Sequence, residues 1–199
     1  MFPNRRSGDN DVVRNARADP DSSSARRKAL AIYLEDHHAV ARGGTALAQR
    51  LARNASRDIE GVSELAWIAQ EISEDFGTLE QIMEAEGVSR SAVKDTIVVA
   101  AEHLGRLKLN GRLFGRARLS DVIELETLFV GITGKLSLWE TLSLIGPRPD
   151  IDLDALAARA RAQRTAVGRC RESASINAFR SPADPHPSVS PPSMSEFRP

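Results

Sequence analysis

Residues 33–38 read Tyr-Leu-Glu-Asp-His-His, and this imidazole pair beside two acids is the first place in the chain where chemistry could be done. Acids and histidines in a helical protein suit a di-metal carboxylate centre. Such a centre takes inward-facing Glu from two helices and a Glu-x-x-His pair from each of two others, because one helical turn brings those side chains to one metal. His38 has a glutamate three residues earlier, Glu35, whereas Leu34 precedes His37 and Ala100 precedes His103 at that spacing. At about 100° per residue, His37 falls on the apolar stripe of its segment with Leu34, while Glu35 and His38 fall off it, toward solvent or a boundary.

The acids Glu60, Glu64, Glu71, Glu74 and Asp75 lie mainly on the polar side of their segment, and Glu126 leans inward at the edge of its own. The metal motif is therefore incomplete. What remains is a polar cluster of Asp36, His37, Glu71, Asp75 and Glu126. The sequence reads His37 as a core histidine whose ring nitrogens bond one of those carboxylates or a carbonyl. The sharper alternative is a general base or a single metal ligand. No nucleophile or cofactor loop accompanies the cluster, so no catalytic set, metal site or cofactor is assigned.

Two further stretches bear on ligands. Residues 78–97, TLEQIMEAEGVSRSAVKDTI, resemble a helix-turn-helix, with Gly87 in the turn and Arg90, Ser91 and Lys94 near the start of the second helix. Residues 57–86 before that turn hold nine acids and one arginine, which a helix crossing a phosphate backbone should not carry. The plainer reading is an ordinary corner between two helices. Residues 105–116, GRLKLNGRLFGR, gather Arg106, Lys108, Arg112 and Arg116 without an acid. Together with Arg118 they could bind phosphate, but no glycine-rich cradle follows a strand here. Asn110-Gly111 between alternating leucines could form a small hairpin lying against the rest of the protein. The reading adopted is a structured joint whose cations complement the end of the preceding helix and face the acidic segment. Gly43, Gly44, Gly131 and Gly134 read as close-packing points between helices.

These residues must be positioned by helices. The interval from Asp21 to Gly146 holds no proline, and its apolar residues recur with a helical period. Five segments emerge. The first, about 29–55, carries Leu30, Leu34, His37, Ala41, Gly44, Ala48 and Leu51 on one face. The second, 58–86, carries Val62, Leu65, Ala69, Ile72, Phe76, Leu79 and Met83, and Gly87 stops it. The third starts at Ser89 and carries Val93, Ile97, Ala100, Ala101 and Leu104. The fourth, capped by Ser120, carries Val122, Leu125, Phe129, Ile132, Leu136 and Trp139. The fifth, about 152–175, is rich in Ala and Arg, with Leu153, Leu156, Ala160 and Val167 as its stripe. Long amphipathic helices with short breaks bury their stripes against one another, so the fold class is all-α: an antiparallel, up-and-down bundle of four main helices plus a C-terminal fifth.

The 199 residues fit one domain. Residues 1–27 and 178–199 lack apolar periodicity and are expected to be disordered, leaving 28–177 as the bundle. Lys+Arg and Asp+Glu both number 27, so the whole molecule has no field to draw it onto nucleic acid or an acidic membrane. Cys170 is the one cysteine, which excludes an internal disulfide and zinc-type Cys/His spacing. No run approaches the roughly 18 uninterrupted apolar residues of a membrane span, and the N-terminal stretch has no secretory h-region. A cytoplasmic protein is expected.

The segments Tyr33-Leu34-x-Asp36-His37, Gly105-Arg-Leu-Lys-Leu-Asn-Gly-Arg-Leu113, Leu119-Ser120, Glu124-Leu-Glu126, Gly134-Lys135 and Leu138-Trp139 resemble, in this order, a family of small uncharacterised proteins from high-GC Gram-positive bacteria. The likeness covers roughly residues 29–175. It implies a compact helical protein without an established activity, and the chain departs from it at Glu35 and His38. The arginine and alanine usage agrees with a GC-rich genome. The expected function is a non-enzymatic interaction or structural module, with a protein partner or a second copy of itself as the partner and no cofactor. A ferritin-like metal bundle is the alternative, and a DNA-binding regulator acting through residues 78–97 the second.

Overall fold

The computed structural model describes residues 20–89 and 116–180. They form an all-α structure of four described helices: α1 (Pro20–Asn54), α2 (Glu64–Ala85), α3 (Arg116–Ile145) and α4 (Leu153–Phe179). No strand occurs among the described residues. The predicted third helix beyond Ser89, the suggested hairpin, and Arg106, Lys108 and Arg112 of the basic joint lie outside them. The five-helix count is thus not observed, but the predicted C-terminal helix is present as α4.

Interhelix pairs fix the directions. His38 and Gln49 on α1 meet Glu80 and Ser73 on α2, so these helices are antiparallel. Arg50 meets Glu124, and Ser56 just past α1 meets Asp121, so α3 also runs against α1. α4 runs against α3, through Arg161 to Glu140 and Arg118 to the Asn177 carbonyl, and against α2, through Glu64 to Arg169 and Glu71 to Gln163. Consequently α2 and α3 point the same way from diagonal corners, as do α1 and α4.

The helix ends follow local chemistry. The Asp152 carboxylate caps α4 by accepting from the Ala155 amide at 2.9 Å. α2 ends where Gly87 adopts φ +69°; the Val88 N–H reaches back to the Met83 carbonyl at 2.8 Å and the Gly87 N–H to Glu84 at 3.1 Å. That is the two-bond closure a left-handed residue permits. Gly61, at φ +78°, keeps residues 58–63 out of the helix that the sequence period extended back to Asp58, and Ile59 plugs the core from that turn.

Three boundaries need correction. α1 begins at Pro20, so residues 20–27 are helical and not part of a disordered arm. Proline is pre-organised for a first turn, and a helix already nucleated propagates through polar residues at little cost. Ser120 lies inside α3 and not at its cap, and Arg116, assigned to the joint, is the first residue of that helix.

The core forms two apolar clusters along the bundle. One gathers Leu47, Leu51, Ile59, Leu65, Ile68, Ile72, Leu125, Leu128, Val167 and Cys170. The other gathers Leu34, Leu79, Ile82, Met83, Leu136, Trp139, Leu142, Leu153, Leu156 and Ala160. Residues 118–145 of α3 are long and apolar enough, by length and composition, to cross a membrane, with a mean hydropathy of 1.3. Counting uninterrupted apolar residues did not anticipate this, because Glu124, Glu126 and Lys135 break the run. The same helix supplies Leu125, Leu128, Ile132, Leu136 and Trp139 to the core, and its Glu124 and Glu140 pair with other helices.

Candidate functional site

The two clusters meet at a polar layer. Asp75 sits between Ile72 and Leu79 on α2, Lys135 between Ile132 and Leu136 on α3, and Gln163 between Ala160 and Ala166 on α4. Asp75 and Gln163 are buried, at 1% and 0% exposure. The Lys135 ammonium donates to one oxygen of Asp75 and, at 2.5 Å, to the Gln163 side-chain carbonyl. Arg159 donates to the other Asp75 oxygen and reaches Glu74 at 3.4 Å. Gln163 donates onward to Glu71 at 2.7 Å. Both Asp75 oxygens are therefore engaged by cations, which compensates the burial of the carboxylate. Burial pushes the Lys135 amine below its ordinary range and the nearby Arg159 adds to that, while Asp75 and Glu71 pull it back up.

Beside this layer lies a cleft of about 420 Å³ between α1, α2 and α3. Asp36, His37, Val40 and Gly44 contribute from α1, Asp75 and Phe76 from α2, and Val130, Gly131, Gly134, Lys135 and Trp139 from α3. His37 is partly exposed and packs edge-on against Tyr33, with ring centroids 4.5 Å apart. Its burial lowers its pKa, against a smaller upward pull from Asp36.

The neighbouring histidine takes the role expected of His37. His38 is 1% exposed, stacks on Phe76 with centroids 5.0 Å apart, and brings Nε2 to 3.2 Å from Glu80; its Nδ1 is buried without a partner. The sequence placed His37 at the centre of the stripe and His38 outside it. α1 is contacted by both α2 and α3, so its buried arc is wider than one stripe, and His38 lies on the α2 side of it.

Of the expected polar cluster, Asp36, His37 and Asp75 line the same cleft, and Glu71 joins the layer through Gln163. Asp75 is buried, contrary to its assignment to a polar face. Glu126, read as inward-leaning, is exposed. Among the described residues no group of three or more His, Cys, Asp or Glu side chains is placed to hold a metal ion. The acidic face of α2 meets arginines of α4, with Glu64 to Arg169 at 3.0 Å and Glu74 to Arg159 at 3.4 Å; among the described residues these are its main cationic partners. Arg118 pairs with Asp58 at 3.6 Å.

Sequence reasoning missed Lys135, Arg159, Gln163 and the His38–Glu80 pair as a structural set. A signal existed for three layer residues: Asp75, Lys135 and Gln163 each occupy a stripe position where the flanking turns are apolar. The glycines were also misjudged. A Cβ built on Gly43, Gly44, Gly131 or Gly134 meets nothing within 4 Å, so none of them is a close-packing point.

No family model matches the chain, and no curated protein or solved structure is significantly similar to it.

Proposed function

We propose that this chain is a non-enzymatic helical-bundle protein of the cytoplasm, an interaction or structural module. One observation carries the reading. The polar side chains buried at mid-bundle bind one another: Asp75 is held by Lys135 and Arg159, and Gln163 bridges Lys135 to Glu71. Groups engaged in this way orient helices and are poorly available to a substrate. The likeness to small helical proteins of high-GC Gram-positive bacteria belongs to the same reading, as does a partner that is another protein or a second copy of the chain.

The competing reading, a ferritin-like metal bundle, draws support from Asp36, His37 and Asp75 lining one cleft. Elemental analysis of the purified full chain separates the two. The interaction module is expected to hold no stoichiometric transition metal. Iron or manganese at a fixed ratio, lost in a His37→Ala variant, overturns it. The DNA-binding reading rests on residues 78–97, of which 90–97 lie outside the described residues; a salt-sensitive gel shift would revive it.

A further inference from the structure

The directions of the helices set a task for the chain between α2 and α3. These two helices run the same way, so residues 90–115, which lie outside the described residues, must travel back along the bundle before α3 can start. His38 lies level with Glu80 near the end of α2, and Ser56 with Asp121 near the start of α3. Those two levels are about 27 Å apart at a rise of about 1.5 Å per helical residue, and both helices overshoot them. A helix over residues 90–104 would cover about 22 Å of the passage and leave residues 105–115 for the rest.

One side of the bundle suits that passage. The edge between α2 and α4 is tied by Glu64–Arg169 and Glu74–Arg159, that between α3 and α4 by Glu140–Arg161, and that between α1 and α2 by His38–Glu80. α1 and α3 are tied at one end through Arg50–Glu124, and beyond it the cleft lies between them. Its lining spans residues 36–45 of α1 and 127–139 of α3, a length of about 15–20 Å. Val40 and Val130 on its walls are exposed, and an added Cβ on Gly44, Gly131 or Gly134 meets nothing. The chain also leaves α2 in the right place. Beyond Gly87 it turns back, and Val88 packs on the apolar cluster whose Leu79, Leu138 and Trp139 border the cleft.

We propose that residues 90–104 seat as a helix in this cleft, running with α1 and against α3, with Val93, Ile97, Ala100, Ala101 and Leu104 turned inward. In that direction Ala100 and Ala101 fall level with Gly131, small residue against small residue, which permits a short distance between helix axes. Arg90 and Lys94 enter at the end where Asp36 stands, opposite charges together. The space belongs to the chain's own core and not to a metal or a small molecule. This goes beyond the functional reading above and does not depend on it.

The test uses the full chain with Cys170→Ala, so that introduced thiols are the only ones. Val130→Cys and Leu144→Cys place single thiols at positions 68% and 88% exposed among the described residues. A maleimide should label the first at least tenfold more slowly than the second. Adding Ile97→Asp and Leu104→Asp should bring the two rates together. Mild oxidation should join Ala101→Cys to Val130→Cys within one chain at least tenfold faster than Val93→Cys to Val130→Cys, a readout that needs no disruptive core variant. Equal labelling of the two single thiols overturns the proposal, as does equal joining of the two pairs. Protection that survives the aspartates shows another occupant, and joining mainly between chains shows a second copy; either result also overturns it.

Discussion

Lys135 shows how burial and pairing compete at a single side chain. Its ammonium loses water on entering the bundle, and the lowered pKa records that loss, yet Asp75 and Gln163 bind it closely. Removing one member of a buried pair leaves the other uncompensated, which costs about 3–5 kcal/mol. Lys135→Met should therefore destabilise the protein by about that much, seen in urea titration as a lower midpoint with an unchanged slope. Arg159, still on Asp75, limits the damage to the lower part of the range. An unchanged midpoint would show that the ammonium contributes nothing net.

His37 gives a pH dependence with a definite sign. Its folded pKa lies below 6.5 because burial disfavours the imidazolium. Just below pH 6.5 the unfolded chain therefore binds more protons than the folded one, and stability falls as pH drops through that window. The contribution is present above pH 6.5 and lost beneath it. Part of the ring is exposed, so the effect is small. The Tm loss between pH 7.5 and pH 5 should be smaller in His37→Gln than in the parent; a larger loss in the variant would reverse the assignment.

At the scale of elements, α2 and α4 are joined by charge as well as by apolar contact. Glu64, Glu71, Glu74 and Asp75 face Arg169, Gln163 and Arg159 in register along antiparallel axes. The outer pairs are exposed and contribute little singly. The helix ends are more telling. Gly87 closes α2 at φ +69°, a conformation that a residue with a Cβ adopts only with strain. Gly87→Ala should cost about 1–2 kcal/mol, read from chemical denaturation. A neutral result would mean that the turn relaxes into another conformation.

For the whole molecule, the polar layer divides two apolar clusters and admits one alignment of three helices. Sliding α4 by one turn would bring Gln163 off Lys135 and leave Asp75 without Arg159. Apolar replacement of a buried ionic set is often neutral or stabilising. The triple variant Asp75→Leu, Lys135→Met, Gln163→Leu should accordingly fold with a Tm at or above the parent's. Its methyl NMR resonances should broaden if the layer enforces a single packing. Sharp resonances would show that the apolar clusters alone specify the register.

Much of this was legible in residue order. Most residues of the stripes read for α2, α3 and α4 are buried, though Val62, Phe76 and Phe129 are only partly so, because a period near 3.6 survives whichever neighbour covers it. The stop at Gly87 and the helix beginning beside Asp152 were equally local. Those features depend on bonds within a few residues, which is why the chain's order alone determined an all-α protein and most of its core. Which of His37 and His38 is buried, that Glu126 remains exposed, and that Gly44, Gly131 and Gly134 border open space were decided by tertiary structure alone. Each depends on how many helices surround a given helix and from which side. Periodicity along one strand of sequence carries no term for a neighbour that arrives 60 or more residues later, as Lys135 does at Asp75.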